Sequence, residues 1–186
     1  FYNGLQAADF AAPAGLRKLG TEDIPPIVTR GVLLDVARTL KVAKLGPSET
    51  IDAALLQKTA KAQGVSIGKG DVVLVHTGWM AIAGSDPETY ITRQPGLDTS
   101  AAEYLAGLGV VAIGSDTGAL EAQPSTYPNH IVPVHGLLLA NYGVYILENI
   151  VTAELAADRA WEFMFVLGQP RLAGSVQAII NPVAIR

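Results

Sequence analysis

Two stretches, Gly31-Val32-Leu33-Leu34-Asp35-Val36-Ala37 and Val72-Val73-Leu74-Val75-His76, are apolar almost without interruption. A strand with one wet face alternates apolar and polar side chains, so runs of this kind predict strands covered on both faces, near the centre of a sheet. Segments with helical signals lie between and after them. Thr50 reads as the N-cap of a helix over Ile51–Gln63, with Ile51, Ala54, Leu55 and Ala62 on one stripe and Gly64 as its left-handed stop. Ser100 and Glu103 read as a capping box for a helix to about Leu108, which Gly109 releases into a strand over Val110–Gly114. Beyond these, a helix is expected over Leu137–Asn141, a strand over Val144–Leu147 and a short helix over Thr152–Asp158.

Trp161, Phe163 and Phe165 recur at the strand period, so Trp161–Leu167 reads as a strand with one aromatic face. Pro182 precedes a last strand, Val183–Ile185, which suits an edge position because proline cannot donate to a ladder. The opening, up to Pro26, reads as loop with one short helix near Gly15–Leu19. Helices alternate with strands at irregular intervals, which predicts an α/β fold built on a mixed sheet with packed helices rather than a regular doubly wound sheet or an eight-unit barrel. One domain over residues 1–186 is expected, since a chain of 186 residues can bury most of its surface in one core.

Composition narrows the chemistry. With no cysteine, disulfides, thiolate metal sites and cysteine nucleophiles are excluded, and catalysis must use oxygen and nitrogen groups. Thirteen basic against 17 acidic residues, with no dense Lys/Arg cluster, argue against a nucleic-acid partner. No apolar run approaches the roughly 18 residues of a membrane span, so a membrane partner is not expected and a cytoplasmic location is. At 49% hydrophobic and 16% charged residues the chain has little polar surface for a monomer, and a homodimer or higher homo-oligomer is expected. Phe1 stands where a translated start would carry Met, which leaves a segment upstream of it in play.

The three histidines are His76, His130 and His135. The last two flank a proline-rich stretch, and the loop from Thr117 to Val132 is long enough to be functional rather than idle. Glu148 follows His135 by 13 positions, after a turn around Gly143, and a helix-turn-strand excursion of that length can return its ends side by side. Two readings stand on spacing alone. Imidazole and carboxylate could share a Zn²⁺ or Mn²⁺ ion, or His135 could open a helix while Glu148 caps the next one. Asp35 and Asp116, at or inside apolar strands, read as structural carboxylates that require hydrogen-bond partners. His76 reads as a satisfied strand-end residue. Gly107-x-Gly109 precedes a strand instead of following one, so it is no phosphate loop, and no Gly-x-Ser-x-Gly elbow for a serine hydrolase is present.

Six blocks fall in the order of the cyclase-like family of hydrolases, which includes bacterial kynurenine formamidase and isatin hydrolase. They are Arg30–Ala37, Gly70–Leu74 with Thr77-Gly78-Trp79, Pro95-Gly96-Leu97, Gly114-Ser115-Asp116-Thr117, Pro133-Val134-His135 and Leu147-Glu148-Asn149. The tail at Gly174-Ser175 and Asn181–Ile185 is also similar, although Gly174–Ala178 lacks the family's usual Thr-Gly-Ser-Pro flavour. The resemblance implies a cyclase-like swivelling β/β/α fold and metal-dependent hydrolysis of a small amide, formamide, cyclic imide or lactone, with a divalent metal, Zn or Mn. It implies His135 and Glu148 as metal ligands; the family's His-x-Gly-Thr-His-x-Asp motif and the catalytic His that follows it do not occur in this sequence. No catalytic residue can therefore be carried over. Trp79, Tyr90, Leu97 and His130 are the expected substrate-binding residues, with Trp79 either lining an aromatic pocket or simply filling core, and Tyr90 with Pro95–Leu97 forming a loop over such a pocket. A non-catalytic binding or scaffold subunit on the same fold is the alternative.

Overall fold

A computed structural model describes residues 2–186. Its main sheet has six strands: β1 (Ile27–Asp35), β2 (Val72–His76), β3 (Ala112–Ser115), β4 (Tyr145–Leu147), β5 (Glu162–Leu167) and β6 (Val183–Ile185). Their order is β6-β5-β1-β2-β3-β4. The four strands β1 to β4 are parallel neighbours, β5 runs antiparallel to β1, and β6 antiparallel to β5. The expected mixed α/β sheet is the one observed, with the two uninterrupted apolar runs as adjacent strands in register from Gly31 opposite Val72 to Asp35 opposite His76. Pro182 leads into β6 at the sheet edge, where its missing N–H costs no ladder bond.

Side chains alternate across the pleat, and both faces are covered. Val32, Leu34, Val73, Val75 and Ile113 look into one core, closed by Leu56 and Ala60 of helix α2 (Ala53–Gln63) and, past the intervening α3 (Pro87–Thr92), by Ala101, Ala102 and Leu105 of α4 (Thr99–Gly107). Leu33, Val72, Leu74 and Ala112 look into the other, against Phe163, Phe165 and Leu167 of β5 and Ala156 of α5 (Ala153–Ala157). The short helix α1 (Val36–Leu40) follows β1 directly. Gly31 is required by contact with β5: a Cβ there would stand 2.2 Å from the Phe163 ring, its register partner.

Several boundaries differ from the sequence expectation, each for a local reason. The cap of α2 is Asp52, whose carboxylate accepts from Leu55 N at 2.8 Å, and Thr50-Ile51 instead pairs with Gly96-Leu97 as a two-residue ladder. Asp98 caps α4 by accepting from Ala101 N at 2.9 Å. Ser100 is drawn away from the capping-box role, donating to Asp98 and accepting from Ala53 N. Gly64 does stop α2 in the left-handed conformation, at φ 71°. Gly15-Leu16 forms a small ladder with Ala11-Ala12 rather than a helix. Trp161 lies just ahead of β5, its carbonyl accepting from Leu33 N and its ring lying under the Arg38 guanidinium, 5.6 Å from the ring centroid.

Because β1 to β4 run the same way, their carboxyl ends gather on one edge of the sheet: Asp35, His76, Ser115 and Leu147. Open parallel sheets hold ligands outside this edge, since loops there are free of the ladder. No described helix is long and apolar enough to cross a membrane.

Candidate functional site

At the carboxyl edge beyond β3 and β4, three side chains form a line: Glu121, His135 and Glu148. The chain leaves β3, runs through Asp116 to Leu120 and brings Glu121 beside Leu97 in an isolated bridge. That approach depends on Gly96, where a Cβ would stand 2.4 Å from the Glu121 carbonyl carbon. The long proline-containing loop then carries the chain out and back. Gln123 Nε2 donates across it to Ile131 O at 2.9 Å, and the Tyr127 hydroxyl meets Thr99 Oγ1 at 2.7 Å. Pro133 opens the next helical turn, Pro133–His135, at a position where its absent N–H is no loss.

Val132, at the N-cap of that turn, offers no side-chain acceptor, and Glu121 takes over the role from across the loop. Its carboxylate accepts from Val134 N at 2.7 Å and from His135 N at 3.3 Å, and it also bonds the His135 ring at Nδ1. One buried acid thus fixes both the backbone and the ring orientation of His135. The other ring nitrogen, Nε2, faces Glu148 Oε1 at 3.2 Å. Exposure rises along the line, from 2% for the Glu121 side chain to 24% for His135 and 32% for Glu148. Burial acts to lower the His135 pKa, but the two carboxylates outweigh it and raise it to about 9. After His135 the helix widens into a π-helical segment, Gly136–Tyr142, that ends at left-handed Gly143; such widened turns are frequent at functional sites.

The structure therefore brings His135 and Glu148 together. Glu121 was not singled out in the sequence; its signal was an acid flanked by Leu120 and Ala122, ahead of a histidine that needs an anchor for Nδ1. The donor set suits a divalent cation in part. Imidazole nitrogen and carboxylate oxygen are both zinc ligands, and adjacent donors of a tetrahedral zinc stand roughly 3.3 Å apart, near the observed spacing. A carboxylate behind the ring is the usual support of a ligating histidine. Among the described residues no group of three or more His, Asp or Glu converges on one cation position, so the pair by itself is not a complete metal site.

A second carboxylate on the same edge behaves otherwise. Asp116 is buried and accepts from Thr77 N at 2.9 Å, Thr77 Oγ1 at 2.6 Å and Gly78 N at 2.8 Å, with His76 Nδ1 3.5 Å away. His76 is satisfied by Thr152 Oγ1 at 2.7 Å. Asp35 caps α1, accepting from Arg38 N at 2.8 Å and pairing with Arg38 Nε at 2.9 Å. Both aspartates tie strand ends to neighbouring turns.

The four expected substrate-binding residues separate into interior and surface. Trp79 has no exposed surface, and its indole N–H donates to Tyr90 O at 3.0 Å. Tyr90 and Leu97 are also core residues. The Tyr90 hydroxyl reaches Asn149 Oδ1 at 2.7 Å, and burial, together with the charges of Asp116 and Glu148, pushes its pKa up to about 12. His130 alone of the four is on the surface, on the exposed outer part of the 117–132 loop.

Comparison with known proteins agrees with this architecture. A family model described as "Putative cyclase" matches residues 8–122. No curated protein matches the chain. The crystal structure of a novel cyclase superposes with a TM-score of 0.88 at 28% identity, covering 100% of this chain and 62% of that one. Isatin hydrolase A from Ralstonia solanacearum gives 0.73 at 20% identity, covering 90% of this chain and 64% of that one. A "predicted metal-dependent hydrolase" from Bacillus stearothermophilus gives 0.60 at 20% identity, covering 85% and 63%. The chain thus spans somewhat under two thirds of the length of each of these structures.

Proposed function

The chain belongs to the cyclase family, and from that premise we propose that it acts as a metal-dependent hydrolase of a small amide, formamide, cyclic imide or lactone, with His135 and Glu148 as ligands of a divalent ion, Zn²⁺ or Mn²⁺. The observation that carries the reading is the Glu121–His135–Glu148 line, in which a buried acid orients the imidazole and leaves Nε2 facing a second, more exposed acid. When bound, such an ion polarises a carbonyl and brings the pKa of water towards neutrality, so hydrolysis needs no protein nucleophile. Two structural neighbours, isatin hydrolase A and a protein described as a predicted metal-dependent hydrolase, bear names of the same class of chemistry.

The chain's own part is positional and electrostatic. Glu121 accepts at Nδ1 and so selects the tautomer in which Nε2 can take a cation once its proton leaves. Glu148 supplies negative charge at the mouth. His130 and Ile131, both exposed on the 117–132 loop, would be the first groups of that loop to meet a substrate arriving from solvent.

Elemental analysis of the purified protein, with its intact mass recorded, tests the reading together with hydrolysis assays on formanilides, cyclic imides and lactones before and after chelation. We expect bound zinc or manganese, chelator-sensitive hydrolysis, and loss of both in His135→Ala. A protein free of metal and inert toward all three carbonyl classes would sink the proposal. The second reading, a non-catalytic binding subunit on the same fold, is favoured by one observation: two donors alone hold a metal weakly, and no third converges on them among the described residues.

A further inference from the structure

The acid at the mouth of the site has little of its own to hold it. Among the described residues the Glu148 carboxylate has one hydrogen-bond partner, His135. The next residue, by contrast, is tightly held. Asn149 adopts φ 56°, in the left-handed region that L side chains disfavour and that asparagine tolerates better than most. The main chain on this turn is clamped from the β3 side, where Asn149 N donates to Thr117 O at 2.9 Å and Ile150 N to Ser115 O at 3.0 Å.

The side chain of Asn149 is clamped from another direction. Its Oδ1 accepts the Tyr90 hydroxyl at 2.7 Å, the shortest of the contacts that hydroxyl makes; Asp116 O lies at 3.3 Å and Met80 Sδ at 3.6 Å. Tyr90 sits on α3, 59 positions away, and its own carbonyl is gripped by the fully buried Trp79. A rigid aromatic pair in the core therefore ends on the residue after Glu148. Nothing in ordinary packing demands a phenol there: phenylalanine would fill the same volume, but it would leave Asn149 Oδ1 without this donor.

We infer that Tyr90 is a positioning residue, which holds the left-handed turn at Asn149 and thereby aims Glu148 at His135 Nε2. The inference rests on the reading of His135 and Glu148 as metal ligands, and it gives Tyr90 a role in the site although its ring touches no substrate. Removing a group bonded directly to a ligand weakens metal binding about 10- to 100-fold at other metal sites, and Tyr90, one residue further out, is expected at the lower end of that range.

Three variants isolate the hydrogen bond. Tyr90→Phe removes the donor, Asn149→Gly keeps the left-handed turn but removes the acceptor, and Asn149→Asp keeps both turn and acceptor. Zinc affinity is measured by competition with a chromophoric chelator, and the His135 Nε2 resonance is recorded by NMR in metal-free protein at one fixed pH. We expect Tyr90→Phe and Asn149→Gly each to weaken zinc about tenfold or more and to move the resonance. Asn149→Asp, which keeps the acceptor, binds zinc no more weakly than the parent, and the double variant of Tyr90→Phe with Asn149→Gly is no worse than either single one, since both remove the same bond. An unmoved resonance in Tyr90→Phe, or single losses that simply add, overturns the inference. A parent protein that binds no zinc counts against the hydrolase reading, while the resonance still decides whether Tyr90 positions Glu148.

Discussion

Asp116 and Glu121 lie five positions apart on the same edge of the sheet, both almost wholly buried, and they do opposite things with their charge. Asp116 spends its oxygens on Thr77 and Gly78, donors whose positions are fixed by the end of β2. Glu121 also accepts two backbone N–H groups, but its remaining capacity goes to an imidazole whose far nitrogen looks outward at another acid. A buried carboxylate surrounded by main-chain donors is a fastener. One that ends in a titratable ring transmits its charge towards the surface.

The largest effect should come from Asp116→Ala. It strands the Thr77 and Gly78 donors in a dry interior, and leaving several buried donors unmet at about 1–3 kcal/mol each costs about 3–5 kcal/mol in all. Denaturant unfolding should show that loss, with metal content per folded molecule unchanged; a selective loss of metal would break the contrast with Glu121.

Next is pH. The His135 pKa is raised to about 9, above its usual value near 6.5, so the charged ring stabilises the metal-free fold. That contribution is complete below about pH 6.5 and disappears as pH rises through about 9, an upper bound of roughly 3 kcal/mol at this partly exposed group. Unfolding curves in chelator should decline over that window, and His135→Asn should flatten the decline. A pH-independent stability difference between the two proteins would contradict the assignment. The same proton must leave for a cation to bind, so calorimetry near pH 7 should find about one proton released per zinc.

Glu121→Gln should follow. The amide keeps an acceptor for Val134 N, but its NH₂ cannot take the Nδ1 proton, and zinc affinity should fall about 10- to 100-fold by chelator competition. Smallest is Thr77→Val, which removes one hydroxyl bond to Asp116 and keeps the backbone donors. Its cost should be about 1.5–2 kcal/mol by thermal or denaturant unfolding, with zinc affinity unmoved.

Legibility in the sequence followed range. The covered strands were readable because unbroken apolarity has one common cause, burial on both faces, and both runs became adjacent parallel strands. The stop of α2 at Gly64 was readable because a left-handed residue after a helical stripe is a local requirement. The caps are Asp52 and Asp98 rather than Thr50 and Ser100, and several oxygen-bearing residues stand within two positions of each helix start. Which one bonds the helix depends on neighbours such as Ala53 and Gly96, brought in by the fold.

In the site, the sequence by itself determined that one histidine and one acid, His135 and Glu148, had the right donor types and a connection of suitable length. It also determined the family through the order of its short blocks. Only the tertiary structure decided that Glu121 stands behind the ring, that Trp79 and Tyr90 belong to the core, and that Tyr90 reaches the turn beside Glu148. These contacts join residues 14 and 59 positions apart, through a glycine that lets two backbones touch and an asparagine held in a left-handed turn. No local preference encodes such a meeting, because its energy exists only once the sheet has placed both partners at one edge.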